Sequence, residues 1–280
     1  MEAAFFDLDK TMIAKSSPLA LGRTFFREGL IGRGILLRSM YAQFVFQLMG
    51  ADEEKMERMR AQAASLTVGW NAQKVRAVVT EVLEDVITPL MYEEALELIE
   101  AHKRAGRVVC IVSSSPQEIV EPLADLLGIH RVIATRTAID TDGRFTGELE
   151  FYAYGPYKAS AIRDLAVTLE IDLSESFAYS DSITDLPMLE AVGIPTVVNP
   201  DRELRRIART RGWQIVAFKN PVSLRSRIPA LAGTGETPWI RAVVAAMTCL
   251  SLISLIGLWL IRRPNGGQWS SPARRLLKRS

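Results

Sequence analysis

At 280 residues, 48% of them apolar and 24% charged, the chain has material for a large core and more than one unit, which excludes a disordered protein. A net charge of +2, with bases and acids interleaved through the body, argues against a nucleic-acid partner. Two cysteines, Cys110 in an expected buried strand and Cys249 in an apolar run, form neither a disulfide framework nor a zinc site and fit a reducing compartment; two histidines far apart, His102 and His130, argue against a histidine metal centre or a Ser-His-Asp triad.

Ala3-Ala4-Phe5-Phe6 is too short an apolar run for a helix and suits a strand covered on both faces of a parallel sheet. It leads straight into Asp7-Leu8-Asp9-Lys10-Thr11. Strand alternation turns Asp7 and Asp9 to one side at the carboxyl end, where such sheets place their chemistry. Two carboxylates that close raise the pKa of one of them unless a cation intervenes, so the pattern asks for a metal ion, a shared proton, or both. The alternative is a turn with two solvated aspartates.

Ser16-Ser17-Pro18 opens a helix over 19–28 that Gly29 closes. Residues 35–49 are apolar almost all round, which predicts a helix that is buried or at an interface. Acids at 52–54 lead a helix over 55–66, and Asn71 caps another over 72–87 with the apolar stripe Val75, Val78, Val79, Val82, Leu83 and Val86. Residues 16–87 thus read as a helical insert. Gly32 and Gly34 follow no strand and lack a third glycine, so they do not make a dinucleotide site.

After Thr88-Pro89 helices and strands alternate. A helix over 93–103 should carry His102 on an exposed face. A β-prone run over 107–112 should halt at Ser113-Ser114-Ser115, and Pro116 opens a helix over 117–127, so the serines lie at a helix N-terminus that favours an anion. A strand over 132–139 turns through Asp140-Thr141-Asp142-Gly143 into a second over 144–151. Gly155-Pro156 precedes Lys158 and a helix over 159–169. A strand over 176–179 runs into Ser180-Asp181-Ser182-Ile183-Thr184-Asp185 with a helix over 186–192 behind it; a strand over 194–199, a helix over 202–211 and an apolar segment over 213–218 end the body near 220.

Residues 221–241 hold five prolines or glycines and read as a linker. Residues 242–261 follow, 20 positions without a charge and with ten Val, Leu or Ile. That is worth about −3 to −6 kcal/mol on the insertion scale, at a length that spans a bilayer. A buried helix is the alternative. The tail, 262–280, has six cations and no acid. Positive-inside counting keeps this tail in the cytoplasm, and a catalytic domain without a signal peptide belongs there too; one span cannot satisfy both. Either the tail crosses despite its charge, or the segment lies in the interface with its cations on anionic lipid. The expectation is a membrane-associated protein with a cytoplasmic catalytic domain.

Asp7, Asp9 and Thr11, then Ser113, then Lys158, then Asp181 and Asp185 come in this order at successive strand or helix ends. Through "FFDLDKT", "VSSSP" and "YSDSITDLPMLEAVG" the chain resembles the haloacid dehalogenase-like superfamily over about residues 3–200, and within it the subfamily IB hydrolases related to phosphoserine phosphatase. The resemblance implies an α/β fold: a Rossmann-like core of mostly parallel sheet at 1–15 and 88–220 with a helical C1 cap at 16–87. The linker at 221–241, a transmembrane or interfacial helix at 242–261 and the basic tail would follow.

Carried over position by position, the resemblance implies that Asp7 is the nucleophile forming an aspartyl-phosphate and Asp9 the general acid and base. Thr11, Ser113 and Lys158 would bind the phosphoryl group. The Asp7 and Asp181 carboxylates and the Asp9 carbonyl would hold Mg²⁺, with Asp185 in support. Four carboxylates and a phosphate dianion outweigh Mg²⁺ and Lys158, so helix N-termini and a proton on Asp9 must meet the remainder, which is the state a general acid needs. Met12-Ile13 departs from the Gly-Thr of P-type ATPases, and Asp9 is the second aspartate that dehalogenases lack.

The expected function is therefore a Mg²⁺-dependent phosphomonoesterase tethered to a membrane, acting on a small or lipid-derived phosphate ester. Phosphoserine is an alternative substrate, although Ala14-Lys15-Ser16-Ser17 lacks the acid with which phosphoserine phosphatases meet the substrate ammonium. A different class is also open: a catalytically weak membrane adaptor whose cap helices bind a partner. It would fail to hydrolyse any of a broad ester panel and never label with acetyl phosphate or beryllofluoride.

Overall fold

Ala3–Asp7 forms strand β1, and all five residues are buried, as the apolar run predicts for a strand covered on both faces. The structure, a computed structural model, describes residues 1–14 and 67–220 together with Leu21 and Thr24. The chain divides into Met1–Arg227 and Ile228–Ser280. The expected helices between 16 and 66, the linker at 221–241, the membrane helix at 242–261 and the basic tail lie outside the described residues. Among the described residues, no helix is long and apolar enough to cross a membrane.

The other strands are β2 (Val108–Pro116), β3 (Arg131–Ile139), β4 (Phe145–Phe151), β5 (Phe177–Ser180), β6 (Ile194–Val198) and β7 (Gln214–Val216). The helices that frame them are α1 (Ala72–Val86), α2 (Glu93–Arg104), α3 (Gln117–Leu126), α4 (Pro156–Leu169), α5 (Leu186–Glu190) and α6 (Arg202–Arg211). Across the sheet the order is β4-β3-β2-β1-β5-β6-β7, and every pairing is parallel except β3 with β4. The chain adds β2 and β3 on one side of β1 and then crosses to place β5 on the other. The loops after β1 and β5 therefore diverge, which opens a crevice at the carboxyl ends of the central strands.

Two layers of side chains cover β1. On one face Phe5 joins Cys110, Val112, Ala178 and Val197 against Ile162 of α4 and Met188 and Leu189 of α5. On the other, Phe6 stacks on Tyr179 with ring centroids 4.5 Å apart. Full burial of each phenylalanine is worth about 1.5–3 kcal/mol, which fixes the height of the strand whose end carries Asp7.

His102 departs from expectation, since it is 4% exposed rather than on a solvent face. Ala95, Leu96, Ile99 and His102 share the buried stripe of α2. The ring nitrogen Nε2 lies 2.8 Å from the Tyr179 hydroxyl, and the ring meets Phe177 edge-on at 4.7 Å. Burial, aided by Arg107, pushes its pKa down to about 4, so the imidazole is neutral.

β2 also differs: it continues through the serines to Pro116 instead of halting at Ser113. Its pairing with β3 shifts register between Ser113 and Pro116, which pair with Ala134 and Thr135, and such a bulge accommodates the two extra residues Ser114 and Ser115 and a proline without losing the ladder. α4 starts at Pro156, three residues earlier than expected, because proline is pre-shaped for a first helical turn. Gly155 before it has φ 52 and ψ −125, a conformation that other residues rarely adopt. Asn71 caps α1 as the sequence predicts, accepting from the Lys74 amide at 2.9 Å. The Ala14 amide donates to Leu90 O at 2.8 Å and the Tyr92 amide to Met12 O at 2.9 Å, so the chain that leaves after β1 returns beside its own exit.

Candidate active site

Asp7 ends β1, and parallel pairing places it level with Val112, one residue short of Ser113. On the other side Phe6 pairs with Tyr179, so Ser180 and Asp181 leave β5 at the same level. Three buried strands thus deliver their polar ends to one crevice.

Lys158, in the first turn of α4, reaches into it and is 2% exposed. Its Nζ donates to Asp7 Oδ1 at 2.7 Å and lies 2.9 Å from both oxygens of Asp185. Ser180 Oγ donates to Asp185 Oδ2 at 2.7 Å, and Thr11 Oγ1 donates to Asp7 Oδ2 at 3.3 Å. Both oxygens of Asp7 are therefore oriented, one by an ammonium and one by a hydroxyl. Gly155 supports this indirectly, since its positive φ starts the helix that aims Lys158.

Charge in the site is unbalanced. Burial raises the Asp7 pKa well above its ordinary value; Lys158 opposes this, and Asp185 and Asp181 add to it. Burial likewise pushes Asp181 up to about 7, with Lys10 opposing and Asp185 contributing. Burial alone would lower Lys158, but Asp185 and Asp7 outweigh it and leave the ammonium held above its usual range. Asp7 and Asp185 share one buried ammonium, and the charge that opposes the burial of Asp181 is the exposed Lys10, so the site calls for another cation or a proton. Buried carboxylate oxygens with surplus negative charge fit a hard ion such as Mg²⁺ better than a soft one. Among the described residues no three His, Cys, Asp or Glu side chains form a ready-made metal cage. Mg²⁺ does not need one, because it keeps several waters and uses one or two carboxylates.

The sequence-derived residues fall into two groups. Asp7, Thr11, Lys158 and Asp185 form one hydrogen-bonded chain. Asp9 belongs to a second: Ser115 Oγ donates to Asp9 Oδ2 at 2.9 Å, and the Ser115 amide donates to Ser113 Oγ at 3.1 Å. Asp181 joins the first group through charge rather than through a hydrogen bond.

Three anchoring residues escaped the sequence reading: Ser115, Ser180 and Asp201. Asp201 grips the loop that carries Asp181 and Asp185. Its amide donates to Asp181 O at 2.9 Å, while its carboxylate accepts from the Ile183 amide at 2.7 Å and the Leu204 amide at 2.8 Å. An aspartate directly before a helix signals the cap on Leu204, but nothing local signals the reach to Ile183.

The haloacid dehalogenase-like hydrolase pattern matches residues 4–190. The "Inhibition of morphological differentiation protein" of Streptomyces azureus is 53% identical over 94% of this chain and 95% of its own. A probable phosphatase of Mycobacterium tuberculosis is 55% identical over 81% of this chain and 79% of its own, and a phosphoserine phosphatase of the same organism is 34% identical over 78% and 71%. Among solved structures, a Bordetella pertussis protein of unknown function superposes with a TM-score of 0.68 at 27% identity, covering 77% of this chain and 97% of that one. A phospho-aspartyl intermediate analogue of phosphoserine phosphatase superposes with a TM-score of 0.57 at 20% identity, covering 80% and 96%, a likeness of fold.

Proposed function

The chain belongs to the haloacid dehalogenase-like hydrolases and is an enzyme of their phosphatase kind; from that premise we propose a Mg²⁺-dependent phosphomonoesterase that works through an aspartyl-phosphate on Asp7. The observation that carries this reading is the Lys158 ammonium bridging Asp7 at 2.7 Å and Asp185 at 2.9 Å inside the crevice. A nucleophilic carboxylate needs its orientation fixed, and here Lys158 on Oδ1 and the longer Thr11 contact on Oδ2 fix it.

Asp7 would attack phosphorus while Asp9 protonates the leaving ester oxygen; Asp9 would then take a proton from the water that opens the acyl-phosphate. Ser113, Thr11 and Lys158 would hold the phosphoryl oxygens. Mg²⁺, on the Asp7 and Asp181 carboxylates and the Asp9 carbonyl, would supply the positive charge that the three carboxylates lack. Ser180 and Asp201 would keep Asp185 and the Asp181 loop in place. The apolar segment at 242–261 and the cations behind it favour a protein held at a membrane; with the segment lying in the interface and its cations on anionic lipid, the catalytic domain and the tail share the cytoplasmic side, and the substrate is a small or lipid-derived phosphate ester.

The test is turnover and trapping of the full chain with Mg²⁺. Wild-type protein should hydrolyse phosphomonoesters and label with beryllofluoride, and Asp7→Asn should do neither while keeping its melting temperature. Turnover retained in Asp7→Asn would refute the covalent route.

A further inference from the structure

Asp9 has to donate a proton in one half of the proposed reaction and accept one in the other, so its two oxygens need distinct assignments. It lies beyond the end of β1, in a loop where Lys10 takes the left-handed φ of 63. The sheet ladder therefore does not fix its side chain. One group that reaches it is Ser115, whose hydroxyl donates to Asp9 Oδ2 at 2.9 Å.

Ser115 is itself immobilised. It is 4% exposed, its amide is bonded to Ser113 Oγ at 3.1 Å, and the preceding carbonyl, Ser114 O, accepts from Thr135 Oγ1 at 2.8 Å. The β2 register shift between Ser113 and Pro116 is what turns its side chain toward the loop after β1.

Resting on the phosphatase reading above, we propose that Ser115 is the positioning residue of the general acid: it fixes the Asp9 carboxyl and directs the transferable proton to Oδ1. In this scheme Oδ2 accepts the Ser115 hydroxyl and Oδ1 is the oxygen that carries the proton. As the Asp7 oxygen–phosphorus bond forms and the ester oxygen–phosphorus bond breaks, that proton passes from Oδ1 to the departing oxygen, giving a neutral alcohol and an Asp9 carboxylate. In the second half the carboxylate takes a proton from the attacking water, and phosphate and the free Asp7 carboxylate are restored. Ser115 touches neither substrate nor phosphorus in this scheme. Because its amide is tied to Ser113, one bulge in β2 would set both the phosphate-facing serine and the acid.

The assay separates orientation of the acid from general damage to the site. An alkyl phosphate such as glycerol phosphate needs its leaving oxygen protonated, whereas 4-nitrophenyl phosphate leaves as a stable anion. The readout is the ratio of kcat/KM for the two esters on full-length enzyme with Mg²⁺, because kcat/KM reports the phosphoryl-transfer half. Ser115→Ala should lower the alkyl-to-aryl ratio about tenfold to a hundredfold, a part of the rate that a well-placed acid provides. Ser115→Thr, which keeps the hydroxyl, should restore it. Should Ser115→Ala fail to fold, Ser115→Cys keeps the volume with a much weaker donor and should lower the same ratio. An equal loss on both esters, or no loss on either, overturns the proposal. Wild-type enzyme that cleaves neither ester and takes no beryllofluoride would sink the phosphatase reading and Ser115's role with it.

Discussion

Replacing Lys158 with methionine removes one ammonium and leaves two carboxylates. In the intact protein that ammonium sits 2.7 Å from Asp7 and 2.9 Å from Asp185, with side chains almost fully buried. Stripping one partner from a buried pair costs about 3–5 kcal/mol, because the remaining charge is uncompensated. Here two acids lose their partner, which argues for the upper part of that range. The pH dependence identifies the cause. The folded pKa of Lys158 is raised above the ordinary 10.5, so its stabilisation is fully present below that pH and is lost only as pH rises through the folded value. Between pH 5 and 8 the wild-type lysine therefore contributes a constant amount. In Lys158→Met the orphaned carboxyls bind protons more tightly folded than unfolded, so the variant regains stability as pH falls. Urea unfolding of both proteins at pH 8 and pH 5, without Mg²⁺, should show the deficit shrinking toward the acid side by roughly 1 kcal/mol or more, one pKa unit of relief being about 1.4. The same variant should lose about 10²–10³ in kcat/KM, the cost of deleting a fixed electrostatic group. A deficit below about 1 kcal/mol at both pH values would refute the idea that Lys158 holds two buried anions apart.

His102 has its pKa lowered from 6.5 to about 4, so its contribution is present above pH 6.5 and is lost as pH falls toward 4; it amounts to about 3 kcal/mol. His102→Gln should flatten that part of the stability–pH curve, and an unaltered slope would show that another group titrates. Gly193→Ala should lower the melting temperature by several degrees, since a Cβ there would stand 1.7 Å from the Ser174 carbonyl oxygen and force apart the bond from the Gly193 amide to Leu173 O; an unchanged melting temperature would show that the two loops part without cost. Full-length chain should sediment with membranes and a chain ending at residue 238 should not; equal partitioning would refute the anchor. Lacking an acid in Ala14-Lys15-Ser16-Ser17, the enzyme should prefer glycerol phosphate, lysophosphatidate or phosphocholine to phosphoserine, because an unmet ammonium forfeits about 1.5–3 kcal/mol, roughly ten- to a hundredfold. Phosphoserine ahead by about tenfold or more in kcat/KM would show that some other residue receives the ammonium.

What the sequence makes legible here, and what it hides, follows from how far each signal reaches. A strand buried on both faces must be an apolar run, so Ala3–Phe6 and Val108–Val112 announce themselves; the first polar side chain marks the end of β1, but β2 runs on through its serines to Pro116. Asp7, Ser113 and Asp181 stand out as polar residues beside such runs, and their roles were implied by the family resemblance, while the cap on Asn71 and the turn at Asp140–Gly143 follow from local chemistry. Partners set by register are another matter. Ser113, Ser114 and Ser115 are equivalent in a list of residues, and only the β2 bulge decides that the third of them reaches Asp9. Asp201 shows the same division within one side chain: the oxygen that caps Leu204 acts locally and was predictable in kind, whereas the oxygen that takes the Ile183 amide acts across a loop crossing that no spacing encodes. His102 was misread for a different reason. A histidine reads as polar and so as exposed, whereas its burial beside Ala95, Leu96 and Ile99 depends on Tyr179 standing 2.8 Å away on a strand that follows 77 residues later. The polar groups hardest to read are thus those with one remote partner. In this fold they are the groups that hold Asp9, brace the lysine's second carboxylate and hold the Asp181 loop, so candidate residues can be picked out from the sequence while their alignment depends on the sheet.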